Sequence, residues 1–273
     1  MEQNEFGPLP EQLLPRIAAQ LRSAMEGIPP AAAAMAPTEL RDTDPALDRR
    51  AALLDQGCYR LGRLACNLSM AALLSGDADL SLRDRDIVAL TEQVCRRCVS
   101  PGALLGLRVT FRCSRPGHLC AVDRDSYEHL LFQLLSNAFK FTPSGGAVTV
   151  ELRFAPGHVL LSVCDTGRGI PAELLPTLFT HCLRQDPFSA LPPHGLGLGL
   201  LLCRRIAAGH GGSIVAESRP GQGSTVTLSL PDRQTGLLPE ADLPADRTGG
   251  FNPTLLGLAD ALPPAAFLLR EEE

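Results

Sequence analysis

The chain has 273 residues, 45% of them hydrophobic, which is enough to bury a core in one large domain or two smaller ones. Lys and Arg number 25 against 30 Asp and Glu, and there is no Trp, so no basic field is on offer to a nucleic acid partner. No apolar run approaches the ~20 residues of a membrane span, and the opening MEQNEFGPLPEQ is acidic where a secretory leader would be basic, which points to a cytoplasmic chain.

The first predicted element is a helix in which Leu14, Ile17, Leu21, Ala24 and Ile28 step by threes and fours until Pro29 and Pro30 break the run. An Ala/Pro loop follows. Leu47, Ala51, Leu54, Cys58, Leu61, Ala65, Leu68 and Ala72 then form a heptad seam, opened by Pro45 and stopped at Ser75-Gly76-Asp77, predicting one helix of about 30 residues. Residues 1–80 thus read as a helical hairpin whose small-residue seam a second copy would complete as a dimeric four-helix bundle. The other reading lays the pair on this chain's own second domain. No sensor segment is read before residue 12.

Residues 81–231 mix strands with helices. GLRVTFRC, GAVTVELRF, HVLLSVCD and STVTLSLP read as strands, and 123–140 and 198–209 carry helical spacing. The fold class is α+β, a two-layer sandwich of helices on a mixed sheet. Of the 9 cysteines, Cys95, Cys98, Cys113 and Cys120 come closest to a metal pattern, but the last two do not form the tight pair that closes a zinc site. Reduced thiols are expected, with Cys95 and Cys98 one turn apart on a half-buried helix face. Residues 232–273 read as a linker and then a short apolar docking tail, FNPTLLGLADALPPAAFLL.

Three stretches carry chemistry. VCDTGRGIP ends a buried strand on Asp165, a carboxylate that only accepts hydrogen bonds and so suits the exocyclic amine of adenine. Gly167 and Gly169 let the backbone approach a flat base. A turn-forming aspartate is the bland alternative. In FQLLSNAFKFTPSGG, Asn137 and Lys140 share a helix face, the first offering a hard oxygen to Mg²⁺ and the second a charge beside phosphate, while Phe141 could cover a base. A buried amide, a solvated lysine and a core aromatic would look the same. HGLGLGLLLCRRIAAGHGG fails the GxGxxG spacing and is a poor strand, which leaves a glycine lid feeding a helix N-terminus that attracts phosphate.

The order of an Asn-bearing helix, DTGRGI, LFTHCLRQD and GLGLGLLLCRRIAAGHGG…GQGSTVTLSLP resembles the N, G1, F and G2 boxes of the ATP-binding domain of bacterial sensor histidine kinases, the Bergerat-type ATPase fold. That resemblance implies ATP and Mg²⁺ as cofactors, with Asn137 on the metal, Lys140 on phosphate, Phe141 against adenine and Asp165 on its amine. It places Gln133 and Arg184 with Asn137 and Lys140 in the catalytic set. Gly167, Gly169 and Ile170 would shape the base pocket, Ser224 would help fix the base, and Gly195, Leu196, Gly197, Leu198 and Gly199 would form the lid. Gln133 departs from the family's usual Asn, and Leu196 from a small polar residue. AAQLRSAMEGI aligns with the family's phosphoacceptor motif through Leu21, Arg22 and Ile28, putting Ala19 where the acceptor His belongs and Gln20 where its neighbouring acid belongs. No His precedes residue 118. The resemblance implies an ATP-dependent kinase of two-component signalling with a homodimeric hairpin and a response regulator or other signalling protein as partner. A silent nucleotide-binding regulator and a Ser/Thr kinase of the anti-sigma-factor type are the alternatives.

Overall fold

The computed structural model describes residues 13–75, 80–180, 197–237 and 250–267. The amino-terminal part is helical. Helix α1 (Leu13–Glu26) lies against α4 (Pro45–Leu73), and between them stand α2 (Ile28–Met35) and α3 (Thr38–Thr43) where the sequence predicts a loop. The difference has a plain cause: Pro29 and Pro30 occupy the first turn of α2, where a missing N–H costs nothing, so the pair that ends α1 also starts α2. Helix α4 runs the predicted length because Asp44 caps it, accepting from the N–H groups of Ala46 and Leu47, with Pro45 at the first position.

A five-stranded sheet follows. Its order is β2 (Arg108–Cys113), β4 (Ala147–Ala155), β5 (His158–Asp165), β7 (Ser224–Pro231) and β6 (Ser213–Ser218), with β2 parallel to β4 and every other pair antiparallel. A two-stranded ribbon of β1 (Arg83–Asp86) and β3 (Leu119–Val122) stands apart. The helices α5 (Ile87–Leu104), α6 (Arg124–Phe141) and α7 (Gly199–Gly209) complete an α+β sandwich of two layers. Period-two burial fixes the register: Val148, Val150, Leu152, Val159, Leu161 and Val163 turn inward to the helices. The opposite face is polar, with Thr110 hydrogen-bonded to Thr149 and Ser162 to Thr227. Cys95 and Cys98 are fully buried rather than half-buried, because α5 lies under the ribbon and against α6. Burial pushes both thiols up to about 12, so they behave as apolar packing. Among the described residues no His, Cys, Asp and Glu group could hold a metal ion.

The tail docks at home. Helix α8 (Pro253–Leu258) and a short turn at Pro264–Phe267 wedge between α4 and α6, with Leu258, Ala259 and Phe267 excluded from solvent. Two glycines make that approach: a Cβ on Gly62 of α4 would come within 2.9 Å of Leu256, and one on Gly257 within 2.5 Å of the Phe132 ring. Helix α4 therefore packs on its own chain's α7, α8 and Pro264–Phe267 turn and hydrogen-bonds to α6, while α1 rests chiefly on α4.

Candidate functional site

The sandwich brings part of the predicted set to one end, where Asp165 of β5 lies beside Ser224 of β7 and the turn after it packs on the end of α6 at Phe141. Asp165 is the last residue of β5. Its Oδ1 accepts from the backbone N–H of Gly167 at 2.8 Å and of Ser224 at 3.2 Å, while Oδ2 has no hydrogen bond among the described residues. Burial pushes this carboxyl up from its ordinary value, and the two N–H donors pull the other way. The result is an oriented, half-buried acceptor at the head of a turn.

The turn is built on close backbone contact. A Cβ on Gly167 would sit 2.4 Å from the Phe141 carbonyl oxygen, and one on Gly169, whose φ is +72°, 2.1 Å from the Arg219 carbonyl oxygen. Neither position takes a side chain. Ile170 is held from the other side, its N–H donating to Ser218 Oγ at 2.8 Å, and that hydroxyl in turn donates to the Gly223 carbonyl and lies 3.0 Å from Ser224 Oγ. Ser218 is thus a residue that sequence reasoning missed. Its only signal is a register pairing with Ser224 across two strands.

Helix α6 delivers the second group because Asp123 caps its start, accepting from the Ser126 N–H and hydroxyl. Asn137 is half-buried, and among the described residues its amide makes no hydrogen bond. Lys140 is exposed in the last turn, where its charge also complements the helix dipole. Phe141 ends the helix with the Arg168 guanidinium 4.6 Å from its ring centre and Lys140 Nζ at 5.1 Å. Gly197, at φ +68°, and Leu198 lead into α7, whose first residue is Gly199. Helices α4, α5, α6 and α8 all have an Asp or Asn cap, whereas among the described residues no side chain caps α7, whose leading N–H groups are a helix N-terminus of the kind that suits an anion. Arg184, Gly195 and Leu196 lie outside the described residues.

Gln133 goes elsewhere. It is 4% exposed, and its Oε1 accepts from Arg63 Nη2 of α4 at 2.6 Å while its Nε2 donates to Asn67 Oδ1 at 2.6 Å. Arg63 is itself buried, donates to Ser136 Oγ at 2.9 Å and to the Gly257 carbonyl, and has Nε 3.2 Å from Asp260, angled off the hydrogen-bond line. Burial pulls its basicity down and Asp260 offsets that. A faint sequence signal existed: Gln56, Arg63 and Asn67 stand on the face of α4 turned away from the leucine seam.

The model of the histidine kinase-, DNA gyrase B-, and HSP90-like ATPase family matches residues 122–234. The sensor protein DivL of Caulobacter vibrioides is 35% identical over 167 residues, covering 61% of this chain and 21% of DivL. The chain therefore spans about a fifth of DivL's length. Full-length ShkA, solved with AMPPNP, aligns with a TM-score of 0.65 at 23% identity, over 83% of this chain and 47% of that one. The histidine kinase ThkA, solved with the response regulator TrrA, aligns at 0.54 and 22%, over 81% and 61%. These two likenesses establish a shared fold.

Proposed function

We propose that this chain, whose residues 122–234 belong to the histidine kinase-, DNA gyrase B-, and HSP90-like ATPase family, binds Mg-ATP at the end of its sandwich and serves two-component phosphotransfer. The observation that carries the reading is Asp165: a carboxylate with one oxygen pinned by two backbone N–H groups presents the other to a donor, which adenine has in its exocyclic amine where guanine carries a carbonyl. The remaining residues fit a triphosphate. The uncapped start of α7 and the Lys140 ammonium supply positive ends for its oxygens, and Asn137 has an amide oxygen to spare for a hydrated Mg²⁺. When bound, that ion would offset the charge gathering on the phosphates. Phe141, already stacked with Arg168, lies one residue beyond the same helix turn and borders the base side.

The chain's own acceptor is another matter. Ala19 is exposed on α1 at the position where the resemblance puts the phosphorylated His, and a methyl group has no lone pair to attack a phosphate. A transferred phosphoryl group would thus leave the chain for a response regulator or another signalling protein. A purely regulatory, nucleotide-sensing role is the second reading, favoured by the same alanine. No described helix is long and apolar enough to cross a membrane, which supports a cytoplasmic setting.

Incubation with γ-labelled ATP, alone and with response regulators, separates these. Acid-labile label on a partner is the expected outcome. Acid-stable label on Ser or Thr, or binding without label, would remove the two-component assignment. Absence of calorimetric binding by the folded chain with Mg-AMPPNP would remove the nucleotide site itself.

A further inference from the structure

Gln133 is the expected site residue that the fold turns inward. It sits one helical turn before Asn137 on α6, and it touches the start of α7, since a Cβ on Gly199 would come within 2.7 Å of its Oε1. The two helices of the site's phosphate end, α6 and α7, therefore meet at one amide. Both of its ends are held by α4, one by Arg63 and the other by Asn67, residues a single turn apart. His129 closes the cluster, its Nε2 3.3 Å from Gln133 Nε2.

We propose that α4 gates the metal side of the nucleotide site by holding Gln133: while Arg63 and Asn67 keep its amide, Asn137 would be the one amide of this pair offered to the ion, and Gln133 joins it only when that grip is exchanged. The inference rests on the Mg-ATP reading above and concerns its regulation. An amide oxygen that already accepts from a guanidinium cannot also face a divalent cation, because the lone pair is used and the neighbouring charge repels the ion. The extra methylene of glutamine has a use here. It lets the amide span to α4, which the shorter asparagine usual at this position in the resembling family would not reach on both sides. The exchange is local, since undocking α4 would expose Leu256, Leu258 and Phe267, more apolar surface than a bound nucleotide can offset. Arg63 keeps Asp260, Ser136 and the Gly257 carbonyl while Gln133 turns away.

The test measures Mg-AMPPNP affinity of the full chain, with magnesium and again with EDTA, for wild type, Gln133→Asn and Asn67→Ala. Shortening the side chain or removing its partner should raise affinity about fivefold with magnesium and leave it unchanged in EDTA, within the usual range of coupling between sites. Thermal unfolding confirms that each variant is folded. Unchanged affinity in both folded variants, or an equal gain with and without magnesium, would overturn the gate while leaving the nucleotide site standing. If neither wild type nor variants bind, the underlying reading falls and the gate falls with it.

Discussion

At the scale of single residues, Asp165 permits a clean substitution. Asp165→Asn keeps a carbonyl oxygen for the Gly167 and Ser224 N–H groups, so the turn retains its anchor. The other oxygen becomes an NH₂, which confronts the adenine amine donor to donor. Losing a hydrogen bond to a charged acceptor costs about 1.5–3 kcal/mol, roughly ten- to a hundredfold in affinity. Competition binding should show that loss for ATP and little change for GTP. An undiminished preference for ATP would remove base reading from this carboxylate. Asp165 and the glycines around it were legible because strand end, acid and paired glycines sit next to one another in the chain. Gln133's partners were not, since Arg63 lies 70 residues away and no local pattern announces a contact at that separation.

At the scale of elements, the start of α6 depends on a histidine that belongs to α7's end. His210 Nδ1 donates to the Ile206 carbonyl at 2.8 Å, and its Nε2 accepts from the Asp123 N–H at 3.1 Å, which fixes the neutral tautomer beside the residue that caps α6. Burial pulls its basicity down, and burial together with Arg63 pushes His129 on α6 down to about 4. Both folded values lie below the unfolded value of 6.5, so the unfolded chain binds more protons as the medium is acidified. Their stabilisation is present above 6.5 and is lost as pH falls from there toward the folded values, amounting to about 3 kcal/mol for His129 alone. The urea midpoint should fall between pH 7.5 and 5, and His129→Gln should flatten that slope. Asp84, held below 3.8 by the Thr235 and Gly236 donors, titrates outside this window. An unaltered midpoint would mean that neither ring is held neutral. The long helices and four strands were legible from period and caps, whereas β1, spelled RDRD, has no apolar alternation and forms only because β3 pairs with it.

At the scale of the molecule, what the tail covers decides what is left over. Leu256, Leu258 and Phe267 fill the side of α4 that carries Gln56, Tyr59 and Arg63, with Gln56 donating to the Leu262 carbonyl at 2.7 Å. That docking joins residues some 200 positions apart and had no signature beyond an apolar tail. The opposite side of α4 holds Leu47, Leu54, Leu61 and Leu68 at seven-residue spacing, the middle pair 46% and 43% exposed. Leu53 and Leu40 are also exposed, and Met35 is 82% exposed. Two leucines of a heptad row left exposed after the chain has used both α1 and its own tail are what a second hairpin would cover, which makes the homodimer a prediction of packing. Leu54→Glu with Leu61→Glu would bury four unpaired carboxylates at a two-fold seam, a cost of about 4 kcal/mol or more and roughly a thousandfold in dissociation constant. Light scattering behind size exclusion should find wild type at twice the chain mass and the double variant at one. The variant should keep its nucleotide affinity, since both leucines are exposed on the side of α4 turned away from Arg63 and its Gln133 contact. A wild-type chain that runs as a monomer at tens of micromolar, where an ordinary dimer interface is saturated, would show that the leucine row has another occupant.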